Sequence, residues 1–179
     1  MRETLFLVSN YVSFLLTCLL LTALQSALWL QMFGYTPPPY LWLAVANYWI
    51  MFRSPAKAVI MSYLIAYVLF SMSGMPLSHI FFLVLINFFI LYFLRDRVLW
   101  AGPSQFMLAC GASAVMIPIS SLLSTFVMDP TPVFELEILE LLLSPLFTAL
   151  FSLPLYSIFT FIDRLTQQEA PKDATSELI

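Results

Sequence analysis

Charge is what this sequence has least of. Lys, Arg, Asp and Glu make up 9% of its 179 residues, against about 25% in an ordinary soluble domain. A chain of this length cannot cover a water-facing surface with so few polar groups. Other shortages exclude particular chemistries. Four glycines leave no loop to cradle a phosphate. One histidine, His79, and two cysteines, Cys18 and Cys110, give no metal-ligand spacing. Both cysteines lie in apolar runs, where the residue commonly serves as a small buried hydrophobe. No serine stands in a Gly-x-Ser-x-Gly context, and no basic patch points to nucleic acid. Every Asp, Glu, Lys and Arg falls at or beyond the end of an apolar segment. Proton relays and ion paths place such groups well inside a span. The expectation is therefore a chain with no enzymatic site, cofactor or metal.

Apolar residues are what the sequence has in quantity: 61% hydrophobic and a mean hydropathy of +0.94. They come in unbroken runs such as Phe14 to Leu24 and Ile80 to Leu94. A bilayer core about 30 Å thick takes roughly 20 apolar residues per helix. Helices satisfy their own backbone hydrogen bonds there, whereas a membrane barrel would show alternating polarity. The fold class expected is all-α, a polytopic membrane protein. Arg2 before an apolar stretch loosely fits a secretory signal, but the run from Leu5 to Leu30 is far longer than a signal core of about 7–15 residues. It reads as a retained span.

Prolines and charges punctuate the chain into six segments: Leu5 to Met32, Pro39 to Phe52, Ala58 to Met72, Leu77 to Leu94, Gln105 to Val127 and Ile138 to Ile162. These make one transmembrane domain over residues 1–165, followed by a polar tail over 166–179 whose composition suggests disorder. The second and third segments are short enough to be a re-entrant pair. Cation placement favours six crossings with both termini cytoplasmic. In that layout Arg2, Arg53, Lys57, Arg95, Arg97, Arg164 and Lys172, all seven Lys and Arg residues, fall on the cytoplasmic side, as the positive-inside rule prefers. The opposite side receives Asp129, Glu135, Glu137, Glu140 and His79, a solvated helix entry or a negative patch for an outside partner.

Polar residues within the segments are Gln25, Asn47, Asn87, Ser113, Ser120, Ser121 and Ser124. Ala109 and Ser113 share a helix face, as do Ser120 and Ser124, which predicts a packing seam on the fifth segment. Pro118, Pro145 and Pro154 predict kinks, which can also line a ligand cavity. Aromatics are dense, at Trp29, Tyr35, Tyr40, Trp42, Tyr48, Trp49, Tyr92 and Trp100, and several sit near segment ends as an interfacial belt would place them. Trp42 and Trp49, seven apart, share a face that suits either an interfacial anchor or a partner's helix.

The stretch Pro38-Pro39-Tyr40-Leu41-Trp42-Leu43, then Asn47-Tyr48-Trp49-Ile50, then Pro55 resembles MreD, the small membrane protein of the bacterial rod-shape system. The length, six segments, short tail and Ser73-Gly74-Met75-Pro76-Leu77 turn are similar to that family too. The resemblance implies a non-enzymatic scaffold of the inner membrane supporting peptidoglycan synthesis and cell shape. Its partners would be an MreC-like single-span protein, with links to RodA, a class B penicillin-binding protein and MreB. It also implies a fold similar to the substrate-binding subunits of energy-coupling-factor vitamin transporters, which supplies an alternative: a small-molecule-binding transporter subunit, with Asn47, Asn87 and Gln25 as ligand donors. Under the scaffold reading the candidate partner-binding residues are Trp42 and Trp49 in the membrane and Arg53, Lys57, Arg95, Asp96 and Arg97 inside. A lipid flippase would be expected to carry buried charge, and the sequence offers none.

Overall fold

The computed structural model describes residues 2–34, 36–95, 102–128 and 138–168, and among these the chain is all-helical with no strand. The first long helix, α1 (Arg2–Ala23), runs through a wide π-helical turn (Leu24–Leu28) into α2 (Trp29–Phe33). After the proline segment come α3 (Leu41–Phe52), α4 (Pro55–Met72), α5 (Leu77–Arg95), α6 (Pro103–Met128) and α7 (Ile138–Leu165). Five helical stretches are long and apolar enough to cross a membrane, and α3 is a sixth, shorter apolar helix. This is the set of elements a multi-pass membrane protein requires.

Local signals explain the boundaries. The α3–α4 junction is two extended residues, Arg53 and Ser54, after which Pro55 opens α4. Proline suits the first turn because its missing N–H would have no helical partner there. Helix α4 therefore begins three residues before the sequence reading placed it. Pro118 lies within α6, and Pro145 and Pro154 within α7. Both helices continue past their prolines, as spans do when neighbouring groups meet the freed carbonyls.

The arrangement is a closed ring around a central rod. Helix α1 packs on α4, α4 on α5, α5 on α6, α6 on α7, and α7 returns to α1. Helix α3 touches all five of these. Every side chain from Leu41 to Met51 is consequently buried. The sequence of α3, LWLAVANYWIMF, carries no charge, as a helix enclosed by protein or by lipid requires.

The ring helices turn stripes of large apolar side chains outward. Leu16 and Leu20 on α1, Phe89 and Phe93 on α5, and Leu142, Leu146 and Leu150 on α7 are each more than half exposed. Contiguous apolar surface on this scale is rare in water-soluble monomers and matches hydrocarbon. Between α6 and α7 the helices approach closely. A Cβ added at Gly111 would sit 3.2 Å from the Ala149 Cβ, so this position has little room for a side chain. Ala109, Ser113 and Ser120 are buried on α6, in keeping with the expected seam. The Ser124 side chain lies outside what the structure describes.

Candidate functional site

Three groups of polar side chains hold α3 in the ring. The first lies at its C-terminal end. The carboxylate of Asp163, near the end of α7, is fully buried and paired with the Arg53 guanidinium, itself only 8% exposed. Asp163 Oδ1 also accepts from Asn10 Nδ2 of α1 at 3.0 Å, and Oδ2 accepts from the Tyr48 hydroxyl at 2.6 Å. Asn10 donates again to Thr166 Oγ1 at 2.7 Å. One carboxylate thus ties the first and last ring helices to the central one. Arg53 further packs over the Trp49 ring, 5.7 Å from its centroid. Arg95, at the end of α5, donates from Nη1 to the carbonyls of Arg53 (2.6 Å) and Ile50 (3.3 Å). A cation there meets the last carbonyls of α3 and the negative end of its dipole.

The second group sits at mid-height. Asn87 Nδ2 of α5 donates to Asn47 Oδ1 of α3 at 2.9 Å, and Asn47 Nδ2 points to Cys110 Sγ of α6 at 3.6 Å. Buried amides in a membrane protein bond across helices in this way. Here they set the register of α3 against two neighbours.

The third group caps the N-terminal end. Tyr40 N donates to Thr148 Oγ1 of α7 at 2.8 Å, and Leu41 N to Gln25 Oε1 at 3.3 Å. Gln25 lies in the π-helical turn, a local widening that recurs at functional positions. The Tyr40 hydroxyl donates to Glu140 at 2.9 Å. From Tyr40 to Arg53 the rod rises about 20 Å, and from Thr148 to Asp163 α7 rises about 22 Å. The two therefore run side by side, and α3 starts about 12 Å, eight residues of α7, below Glu140. The chain covers that remaining depth as non-helical Pro37-Pro38-Pro39. Irregular backbone at membrane depth is tolerated where protein encloses it, and Pro37 and Pro39 are buried. Proline has no N–H to leave unmet. The indole of Trp29 covers the segment's start, donating to the Thr36 carbonyl at 2.9 Å.

These positions revise several sequence expectations. Trp42 (6% exposed) and Trp49 (1%) face inward, so they form no free face for a partner's helix. Trp29, Trp42, Tyr48 and Trp49 are core rather than interfacial belt. Tyr11, Phe14, Tyr48, Trp49, Phe106 and Phe159 form a contiguous stack of rings with centroids 4.5–6.4 Å apart. Arg53 is consumed by the buried pair, and Arg95 by the end of α3. Lys57 is half-buried, its carbonyl accepting from the Tyr11 hydroxyl at 3.2 Å. Asp96 and Arg97 lie outside the described residues, as do Asp129, Glu135, Glu137, Tyr35 and Trp100. His79 is half-buried with Nε2 at 3.3 Å from the Ser121 hydroxyl. Asn47, Asn87 and Gln25, the candidate ligand donors, bond to protein groups. Sequence reasoning missed Asn10, Tyr48 and Asp163. The available signal was an acid, Asp163, ending a span on the side that collects the cations, and its pairing with Arg53 corrects the expectation that the chain buries no charge.

Ring, rod and buried polar ties together describe a helical bundle of the multi-pass membrane class. Comparison of the chain with family models, with curated proteins and with solved structures returns no match.

Proposed function

We propose that this protein is a non-enzymatic scaffold of a bacterial cell-elongation complex, embedded in the inner membrane with both termini cytoplasmic. It would work with an MreC-like single-span protein and, through it, with RodA, a class B penicillin-binding protein and MreB. The observation that carries the reading is the use made of the buried polar groups. Asp163, Arg53 and Tyr48 answer one another, and Asn47 answers Asn87. Their chemistry goes into fixing a rigid bundle with a broad apolar exterior, which suits a part that positions others. The MreD-like stretch from Pro38 to Pro55 supplies the identity of the complex.

The test is co-purification. Full-length protein in nanodiscs is expected to retain the MreC-like protein of the same genome through washing, and RodA only when that protein is present. Failure to retain it, or a melting shift with one compound of a vitamin panel, would overturn the scaffold in favour of the transporter subunit. Topology has a separate test. Cys18 and Cys110 are buried, so single cysteines introduced at the exposed Ser54 and Ser73 report alone. Ser54→Cys is expected to react with an impermeant maleimide only from the cytoplasmic side, and Ser73→Cys only from the outer side. Labelling of Ser54→Cys from outside would restore the re-entrant arrangement.

A further inference from the structure

Neighbouring helices of the ring offer lipid unequal heights. The exposed large apolar side chains of α4 run only from Val59 to Met72, about 20 Å at 1.5 Å per residue. On α1 and α2 they run from Leu5 to Phe33, about 42 Å, and on α7 from Leu142 to Leu165, about 34 Å. Helix α4 cannot gain height at its ends. Ser54 and Ser73 flank it, both exposed and extended, and the rise between them is about 28 Å. Hydrogen bonds give the register against α1. Asn10 bonds to Asp163 beside the end of α3, and Gln25 bonds to Leu41 at its start, so α1 runs antiparallel to α3. Helix α4, which packs on α3 after a two-residue junction, does too. The two are therefore parallel, and the Tyr11 hydroxyl on the Lys57 carbonyl sets their offset. With that offset α1 overshoots α4 at both ends, by Leu5 at one and by α2's Met32 and Phe33 at the other.

We propose that the α4 side of the ring, up to the α4–α5 turn, holds a collar of thinned bilayer, with phospholipid of short acyl chains as the preferred occupant. A flat hydrocarbon core about 30 Å thick reaches past both ends of the α4 stripe. The turn cannot follow it inside. Ser73, Gly74, Met75 and Pro76 are all exposed and non-helical, and irregular backbone does not face hydrocarbon. Tilting relieves a span that is too long, as on α1 and α7, but only lowers one that is too short. What is left for α4 is local thinning, helped at its first turn by Lys57, whose stem can carry the ammonium toward headgroups. The proposal needs only a membrane-spanning ring and is independent of the complex the protein serves.

The experiment uses the full-length protein in mixed vesicles of dimyristoleoyl and dierucoyl phosphatidylcholine, with bromine on one lipid or the other as a quencher. Phe70→Cys on α4 and Leu146→Cys on α7, each carrying a fluorophore, replace exposed side chains. Both are expected to keep the melting temperature. At position 70 the short-chain lipid is expected to quench about two- to threefold more than the long-chain lipid, relative to position 146, because mismatch costs fractions of a kcal/mol per Å. An equal ratio at the two positions would overturn the collar, since the belt would then be even. Absence of quenching by either lipid at position 70 would also overturn it, since protein rather than lipid would cover α4.

Discussion

Asp163→Ala is expected to lower the unfolding free energy by about 3–5 kcal/mol and the melting temperature by roughly 10 °C. The cause is the guanidinium left behind. Arg53 is 8% exposed and Asp163 fully buried, so deleting the acid strands a charge that water cannot reach. The same change removes the acceptor for Asn10 and Tyr48, loosening α1 and α3 from α7 together. Asp163→Asn keeps some of the hydrogen bonds but not the charge, and is expected to fall between. The informative companion is Arg53→Met with Asp163→Leu. Replacing both partners of a buried pair by apolar groups is often close to neutral, so the double variant should recover the part of the loss that comes from the stranded charge, but not the part from the unmet Tyr48 and Asn10 donors. Differential scanning fluorimetry in detergent reads all three. A wild-type melting curve for Asp163→Ala would mean that the pair is solvated in the folded protein.

Trp49→Ala is expected to be about as damaging, at about 3–5 kcal/mol, the range for emptying a large aromatic from a packed core. Trp49 is 1% exposed and touches Phe14 edge-on at 5.4 Å and Tyr11 at 4.5 Å. Its ring also lies beneath the Arg53 guanidinium, so the cavity would disturb the ion pair beside it. The outcome separates two roles. A core tryptophan loses the fold with the side chain. A surface anchor loses only its partner, so an unchanged melting temperature with lost co-purification would return Trp49 to the outside of the molecule.

Much of this architecture was readable from residues. Apolar runs of membrane length and the prolines between them gave the helices within a few residues, because lipid allows little but helix and the turns pair proline with glycine or charge, unlike the prolines inside α6 and α7. What the residues concealed was the inside. Trp42 and Trp49 sit near the ends of a short segment, as belt aromatics do, and an apolar side chain facing lipid looks the same in sequence as one facing protein. Arg53 and Asp163 looked like boundary charges because each ends a helix. They are 110 residues apart, and nothing local to either announces the other. The Asn47–Asn87 bond has the same cause. Each amide was visible within its segment, but the pairing depends on which helices become neighbours.

The placement of α3 has a consequence for how the chain is made. The rod is synthesised early, yet the acid that neutralises its arginine belongs to the last helix. Until α7 leaves the ribosome, a twelve-residue apolar helix ending in a cation has no complete enclosure. Full packing of the second segment must therefore wait for nearly the whole polypeptide. Variants that weaken the Asp163 contact should accordingly reveal themselves first in newborn protein, as molecules with a short lifetime under membrane proteolysis.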